Sequence, residues 1–151
     1  MNGTNLSCCE VAAAMAMVAV RTEPHAYALG FTNSFVDLGI TAKDTIEAAA
    51  RKAQKANFGT TDCAVAFEYA RREKLEVDAF CIYTDCETYA GPIQPSQALQ
   101  KYRNEMGRPA KSIVIGLTAT AFTIADPNDP GMLDIAGFDA AMPQIISGFV
   151  K

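Results

Sequence analysis

The chain opens on a nearly unbroken run of apolar residues from Cys8 to Val20, interrupted by Glu10. The many alanine and methionine residues of this run favour a helix over a strand, so we predict a buried helix from about Ser7 to Thr22. Two short apolar runs follow, at Ala26–Phe31 and Phe35–Leu38. They predict two strands that pair with each other at an edge of the fold.

Two later runs are apolar at successive positions, Ala79–Thr84 and Ser112–Leu117. This pattern is typical of parallel strands that are buried on both faces. Thr41 or Asp44 is expected to cap the first helix after the strand pair, and Pro143 is compatible with the last helix only inside its first turn. The segments with helical spacing and end signals lie at residues 45–56, 63–74, 95–106 and 138–149.

Strands that alternate with helices predict a doubly wound α/β fold, with a mostly parallel sheet and helices on both faces. A length of 151 residues fits one domain. The net charge of −4 argues against a protein whose whole surface binds phosphates. The five cysteines have no zinc-site spacing and are expected as small buried residues in a reducing compartment, with Cys86 in a polar loop as the exception. The apolar run near the N-terminus is shorter than the roughly 20 residues of a membrane span.

Hydroxyl and carboxylate side chains follow the predicted strand Ala79–Thr84, and others lie at the start of a neighbouring helix. Thr84–Thr88 comes directly after the strand, and Gly59–Asp62 precedes the helix predicted at 63–74. Because ligands of open α/β sheets bind at the carboxyl ends of the strands, we expect both loops at one edge of the sheet. Oxygen ligands of this kind suit Mg²⁺. The same residue types also cap helices and line turns, so the pattern alone leaves a purely structural role open.

An enzymatic interpretation has weaker support. Asp85 and Glu87 could form the acid–base pair of a metal-dependent hydrolase, but two carboxylates two positions apart in a loop have no fixed geometry. His25 is the single histidine, has no evident serine or cysteine partner, and is expected in a surface turn. No nucleophile or general base is evident, so the hydrolase is kept as the alternative from another class.

Four blocks of the sequence resemble the von Willebrand factor A domain of the Ro (TROVE) ribonucleoprotein autoantigen family. They are Val11–Glu23, Gly59–Cys63, Tyr83–Gly91 and Phe122–Asp139, and their order and spacing agree with the family. The last block is the most specific one, and the resemblance covers nearly the whole chain. In this family a ring of helical repeats binds Y RNAs on its outside and the ends of misfolded small RNAs in its hole. The von Willebrand factor A domain closes the ring.

The resemblance implies a metal-ion-dependent adhesion site, which the family builds from a D-x-S-x-S motif, a threonine of one loop and an aspartate of another. By motif, the threonine is Thr61 and the aspartate is Asp85, while Asp62 and Glu87 are candidates for residues that support these ligands. The D-x-S-x-S motif follows the first, central strand in the family, and the present chain begins at Met1, directly after the motif. We therefore expect residues 1–151 to form a partial domain that lacks the first central strand and holds Mg²⁺ weakly.

The resemblance also implies a role in small-RNA ribonucleoprotein particles and in RNA quality control, in the cytoplasm and also in the nucleus. Small non-coding RNA would bind to regions outside this chain, in agreement with the acidic charge. The metal would bridge the domain to an acidic group of a protein partner, and no membrane is involved. The alternative among binding proteins is a generic protein-interaction domain without an RNA role.

Overall fold

Five helices and five strands make up the part of the chain that the computed structural model describes, residues 6–31, 34–56, 62–85, 91–118 and 123–151. Strands β3, β4 and β5 form a parallel sheet in that order, and β1 and β2 form a separate antiparallel hairpin. In chain order the elements are α1 (Cys8–Thr22), β1 (Leu29–Phe31), β2 (Phe35–Asp37), α2 (Ile46–Lys55), α3 (Val65–Arg72), β3 (Ala79–Thr84), α4 (Pro95–Met106), β4 (Lys111–Gly116), β5 (Met132–Ala136) and α5 (Met142–Val150).

Helices cover both faces of the main sheet. Successive residues of β4 point to opposite faces, as the pleat of a strand requires. On one face Val114 belongs to a buried cluster with Phe67 of α3, and α4 covers the same face. On the other face Ile113 is buried with Val11 of α1 and Met142 of α5. The predicted doubly wound α/β class is therefore confirmed.

The β1–β2 hairpin lies beside helices that also cover the main sheet. Phe35 of β2 contacts the ring of Tyr69 in α3, with 4.6 Å between the ring centroids. The same helix packs Phe67 against Phe80 of β3, with 4.8 Å between the centroids. Helix α1 likewise packs on α2 with one set of side chains and on β4 with another. Helix α3 therefore contacts both sheets. Among the described residues, none pairs with the edge of β3 that faces away from β4.

Most predicted element boundaries agree with the structure. Helix α4 has its predicted bounds, and α1 begins one residue after its predicted start, with Ser7 as its N-cap. Helix α3 is shorter at both ends than the predicted 63–74. Helix α5 begins at Met142 instead of about Phe138, and Pro143 does lie in its first turn. The predicted loop at 57–62 lies outside the described residues except for Asp62.

The predicted cap of α2 was wrong. Thr45 itself caps this helix, because its side chain accepts the Ala48 N–H at 3.1 Å. Asp44 instead accepts the Thr41 N–H at 2.6 Å and pairs with the Lys52 Nζ at 2.8 Å. Both bonds tie the turn before α2 to the helix, so the cap lies one position further along the chain than predicted.

The pattern of apolar residues did not predict β5. Its second half alternates between half-buried and exposed positions, and the exposed Asp134 interrupts the apolar residues. The expectation of buried cysteines holds for Cys63 but was wrong for Cys81, whose side chain is exposed on β3. In the described part of the chain, no helix is both long and apolar enough to cross a membrane.

Candidate metal site at the carboxyl edge of the sheet

Asp85 follows β3 directly and lies at the carboxyl end of the main sheet. The hydrogen bonds between β3 and β4 continue past the strand ends, because the Leu117 N–H donates to the Thr84 carbonyl at 2.8 Å. The Thr118 hydroxyl then donates to the Asp85 carbonyl at 2.5 Å. These two bonds hold the backbone of Asp85 against the end of β4, while its side chain is exposed.

The first turn of α1 lies close to Asp85. The pKa of the Cys9 thiol is raised mainly by burial and further by the negative charges of Glu10 and Asp85. The Glu10 carboxylate is engaged within the helix cap, since it accepts the Ser7 N–H at 2.7 Å and the Ser7 hydroxyl at 2.8 Å. These bonds from Ser7 lower the pKa of Glu10. The capping box therefore engages the Glu10 carboxylate, whereas Asp85 lies exposed at the same corner.

Asp62 joins the loop before α3 to the segment that follows β3. Its Oδ1 accepts the Ala64 N–H at 3.0 Å, an Asx turn that leads into α3. The half-buried carboxylate also lies against Gly91, where an added Cβ would be 2.5 Å from the Asp62 Cγ. Real Cβ atoms essentially never approach that closely, so the carboxylate occupies this position because residue 91 is glycine. Asp62, the last residue of the predicted loop Gly59–Asp62, thus contacts Gly91, which lies beyond the predicted segment Thr84–Thr88.

The remaining predicted site residues, Thr61 and Glu87, lie outside the described residues, as does Cys86. The structure therefore locates one of the two predicted ligands, Asp85, and one of the two supporting candidates, Asp62. Within the described ranges, no group of three histidine, cysteine, aspartate or glutamate side chains is arranged to hold a metal ion.

The chemistry of the available donors fits Mg²⁺. Asp85 is exposed, and its carboxylate offers two oxygen donors of the kind that a hard cation takes. Mg²⁺ is usually bound by one or two carboxylates and keeps several of its water molecules. One exposed carboxylate is consistent with weak binding of this hard cation.

Two residues of this corner escaped the sequence analysis. Thr118 follows the apolar run at 112–117 directly, so the rule that drew attention to Asp85 could have found it as well. Gly91 closes the block Tyr83–Gly91, and nothing in that block singles it out. Its contact with Asp62 joins residues that are distant in sequence, and no local pattern indicates it. His25 lies in an exposed turn, as predicted.

Comparison with known proteins places this chain in a family. The family model described as the Ro60 vWA domain matches residues 1–150. The RNA-binding protein RO60 of Deinococcus radiodurans is 52% identical over 140 residues, which cover 93% of this chain and 26% of that protein. The RNA-binding protein RO60 of Caenorhabditis elegans is 38% identical over 151 residues, which cover 99% of this chain and 24% of that protein.

A solved structure has the same fold. The crystal structure of the Deinococcus radiodurans RO (RSR) protein matches with a TM-score of 0.89 and 51% identity, over 96% of this chain and 29% of that one. The present chain spans about a quarter of the length of the curated relatives it matches. From its sequence and its α/β structure, the chain belongs to the family of Ro60 von Willebrand factor A domains.

Proposed function

We propose that this chain is the binding module of a Ro-like small-RNA ribonucleoprotein particle that contains Y RNA and serves RNA quality control. The observation that carries this proposal is the match of nearly the whole chain to relatives named as RNA-binding proteins, one of them 52% identical. The module binds and does not catalyse. The particle resides in the cytoplasm, with the nucleus as a second compartment.

In this proposal the RNA is held by regions outside the chain. RNA phosphates bind to clustered lysine and arginine side chains, whereas this chain has a net charge of −4. Anisotropy of a labelled small RNA at physiological salt tests this division of roles. We expect the chain alone to bind no tighter than about 10⁻⁴–10⁻⁶ M, the range of non-specific electrostatic binding. Nanomolar binding by the chain alone would contradict the division.

The particle itself is tested by purifying the endogenous protein and sequencing the RNA that accompanies it. We expect small non-coding RNAs to be enriched over a mock purification from the same cells. Protein partners without any enriched RNA would instead support the alternative of a generic protein-interaction domain.

The metal site is the second part of the proposal. Thr61 and Asp85 are its ligands, with Asp62 and Glu87 in support. A bound Mg²⁺ would bridge the domain to an acidic group of a protein partner. The open carboxylate of Asp85, held at the sheet edge by the bond from Thr118, supports this role. Weak binding is expected because a single exposed carboxylate holds Mg²⁺ loosely.

Paramagnetic broadening by Mn²⁺ suits a weak site of this kind. We expect dilute Mn²⁺ to broaden the amide signals of Asp85, Thr118 and Cys9 first, with Mg²⁺ reversing the effect by competition. Asp85→Ala should abolish the local broadening. Asp134→Ala, which removes an exposed carboxylate from β5, is the matched control and should leave it unchanged. Broadening at other positions, or broadening that survives Asp85→Ala, would refute the site.

A further inference from the structure

Helix α5 (Met142–Val150) has few of the features that stabilise a helix locally. Its nine residues include Gly148 and three β-branched residues, which lower the stability of a helix. Its N-cap residue is Ala141, whose side chain makes no capping bond. All residues of this helix are described, and they include no acid in the first turn and no base in the last. The helix therefore depends on contacts with the rest of the chain.

The packing of α5 on the main sheet is shallow. Met142, at the start of the helix, is its one fully buried residue and is 1% exposed. Three half-buried residues complete the contact with the sheet, Ile146, Phe149 and Val150. Helix α1 contributes two buried residues to the same cluster, Val11 and Met15. Part of this face of the sheet therefore has a cover that does not depend on α5.

Lys111 supplies from the sheet the positive charge that the end of α5 lacks. It is the first residue of β4, and its N–H donates to the Asp78 carbonyl at 2.9 Å. Its Nζ donates to the Phe149 carbonyl at 2.6 Å and to the Val150 carbonyl at 3.3 Å. The same ammonium lies 5.4 Å from the centre of the Phe149 ring. The last carbonyls of a helix have no partner within it and carry the negative end of its dipole, so this contact stabilises the end of α5.

We propose that α5 is a strap that opens as a unit while the sheet stays folded, and that Lys111 is the clamp that sets how often it opens. A helix of nine residues is not stable in water by itself, so α5 loses its helix when it leaves the sheet. Opening uncovers the apolar side of β4 and β5 around Ile113 and Leu133. Any change that neutralises the Lys111 ammonium would therefore expose this side of the sheet.

Amide hydrogen exchange of the whole chain in low concentrations of urea separates opening of the strap from global unfolding. The Ile115 amide of β4 is the reference, because this residue is 0% exposed and its strand has a neighbour on each edge. We expect the Ile146 amide to exchange at least tenfold faster than the Ile115 amide. Its rate should depend only weakly on urea, because local opening exposes little surface, whereas the Ile115 rate should rise steeply.

The clamp is tested by Lys111→Met, which keeps the apolar stem and removes the donors. The Ile146 amide should exchange about tenfold faster in this variant, the lower end for losing a hydrogen bond from a charged group. Lys111→Gln, which keeps a donor without the charge, serves if Lys111→Met does not fold and should give a smaller acceleration. Lys43→Met removes an exposed lysine from the turn before α2 and is the charge-matched control, which should leave the rate unchanged.

Gly148→Ala should act in the opposite direction. A Cβ at Gly148 meets no atom within 4 Å, so the substitution raises helix propensity without a clash. Exchange of the Ile146 amide should slow by about fourfold, as expected from replacing a glycine within a helix. An unchanged rate would show that α5 keeps its helix when it opens, against the strap as proposed.

The remaining outcomes decide the two parts separately. The same urea dependence at Ile146 and Ile115 would show that α5 opens only when the whole chain unfolds, which would overturn the strap. An Ile146 rate that is unchanged by the substitutions of Lys111, or raised equally by Lys43→Met, would overturn the clamp.

Discussion

Strands β3 and β4 lie side by side in register, and both are apolar, but their surroundings differ. Strand β4 has a neighbour on each edge, and its residues from Ser112 to Gly116 are all buried. Strand β3 pairs with β4 alone among the described residues. At the paired positions Cys81 and Ile113, the cysteine is exposed and the isoleucine is 0% exposed. An apolar run therefore identifies a strand of the sheet without showing whether that strand is enclosed.

The difference has a consequence for the backbone. In a parallel sheet, alternate N–H and C=O groups of a strand point to opposite neighbours, so half of those in β3 point away from β4. Edge groups of this kind are available to another strand, which makes an apolar edge a site for pairing between chains. Strand β3 ends one residue before Asp85, so the candidate metal site lies at one end of this edge.

An ion pair and its hydrogen bonds stabilise the edge of β4 that pairs with β5. Arg103 of α4 pairs with Asp129 through Nη1 and Oδ2 at 2.5 Å, with 15% and 11% of the two side chains exposed. The other Asp129 oxygen accepts the Gly131 N–H at 2.8 Å, and the Gly131 carbonyl accepts the Ser112 N–H at 2.8 Å. Burial raises the pKa of Asp129, but the bonds from Arg103 and the Gly131 N–H outweigh burial and hold that pKa below its ordinary value.

The largest effect on the free energy of unfolding should come from truncating Ile113, the buried residue of the Cys81–Ile113 pair. Ile113→Ala should lower the free energy of unfolding by about 4 kcal/mol, because a fully buried isoleucine leaves a cavity. Cys81→Ala should change it by less than about 0.5 kcal/mol, as is usual at exposed positions. Urea unfolding of both variants measures the contrast, and Ile113→Val, expected to lose about 1 kcal/mol, serves if Ile113→Ala does not fold. Equal losses at positions 81 and 113 would show that the β3 edge is covered.

A smaller loss in the free energy of unfolding should follow when the ion pair beside β4 and β5 is removed. Arg103→Ala should lower the free energy of unfolding by about 3 kcal/mol. This is the lower end of the range for breaking a buried ion pair, because both side chains keep some exposure. The Ser112 amide should then exchange as fast as the outward amides of β3, which makes β4 resemble an edge strand. Arg72→Ala is the control: its pair with Glu73 is 70% and 47% exposed and is worth less than about 1 kcal/mol. Hydrogen exchange that leaves Ser112 protected in Arg103→Ala would refute the anchoring role.

The sequence predicted the main strands because their apolar runs are continuous. Both β3 and β4 were located within one residue of their observed ends, since parallel strands under two layers of helices need apolar residues at every position. Strand β5 was missed because one half of it alternates with exposed residues such as Asp134. The position of Cys81 was misjudged for a related reason, since its exposure depends on which strands flank β3.

The candidate site could be predicted in part. Asp85 was found because the rule for open α/β sheets concerns the residue that follows a strand, which the sequence shows directly. The contact between Asp62 and Gly91 could not be found in this way. It joins positions 29 residues apart and depends on the packing of one carboxylate against a missing side chain.

The smallest expected effect concerns the chemistry of the open edge. The Cys81 side chain is exposed, yet the apolar atoms around its sulfur raise the pKa of the thiol to about 11. Because alkylation needs the thiolate, labelling of Cys81 should accelerate about tenfold per pH unit up to that value. Buried Cys63, which is 1% exposed, is the internal control and should stay unlabelled in the folded chain. Peptide mapping by mass spectrometry measures both rates.

The same raised pKa links the stability of the chain to pH. An unfolded cysteine releases its proton from about pH 8.5, whereas the folded chain keeps it to about pH 11. The contribution of the Cys81 thiol to the free energy of unfolding is therefore fully present below about pH 8.5. It is lost as the pH rises toward 11. The loss should be small, because the exposed side chain is partly solvated, and Cys81→Ala should remove it. If the unfolding midpoint falls equally between pH 8 and pH 10 with and without this thiol, Cys81 is fully hydrated in the folded chain, and β3 differs from the enclosed β4 even more than its exposure indicates.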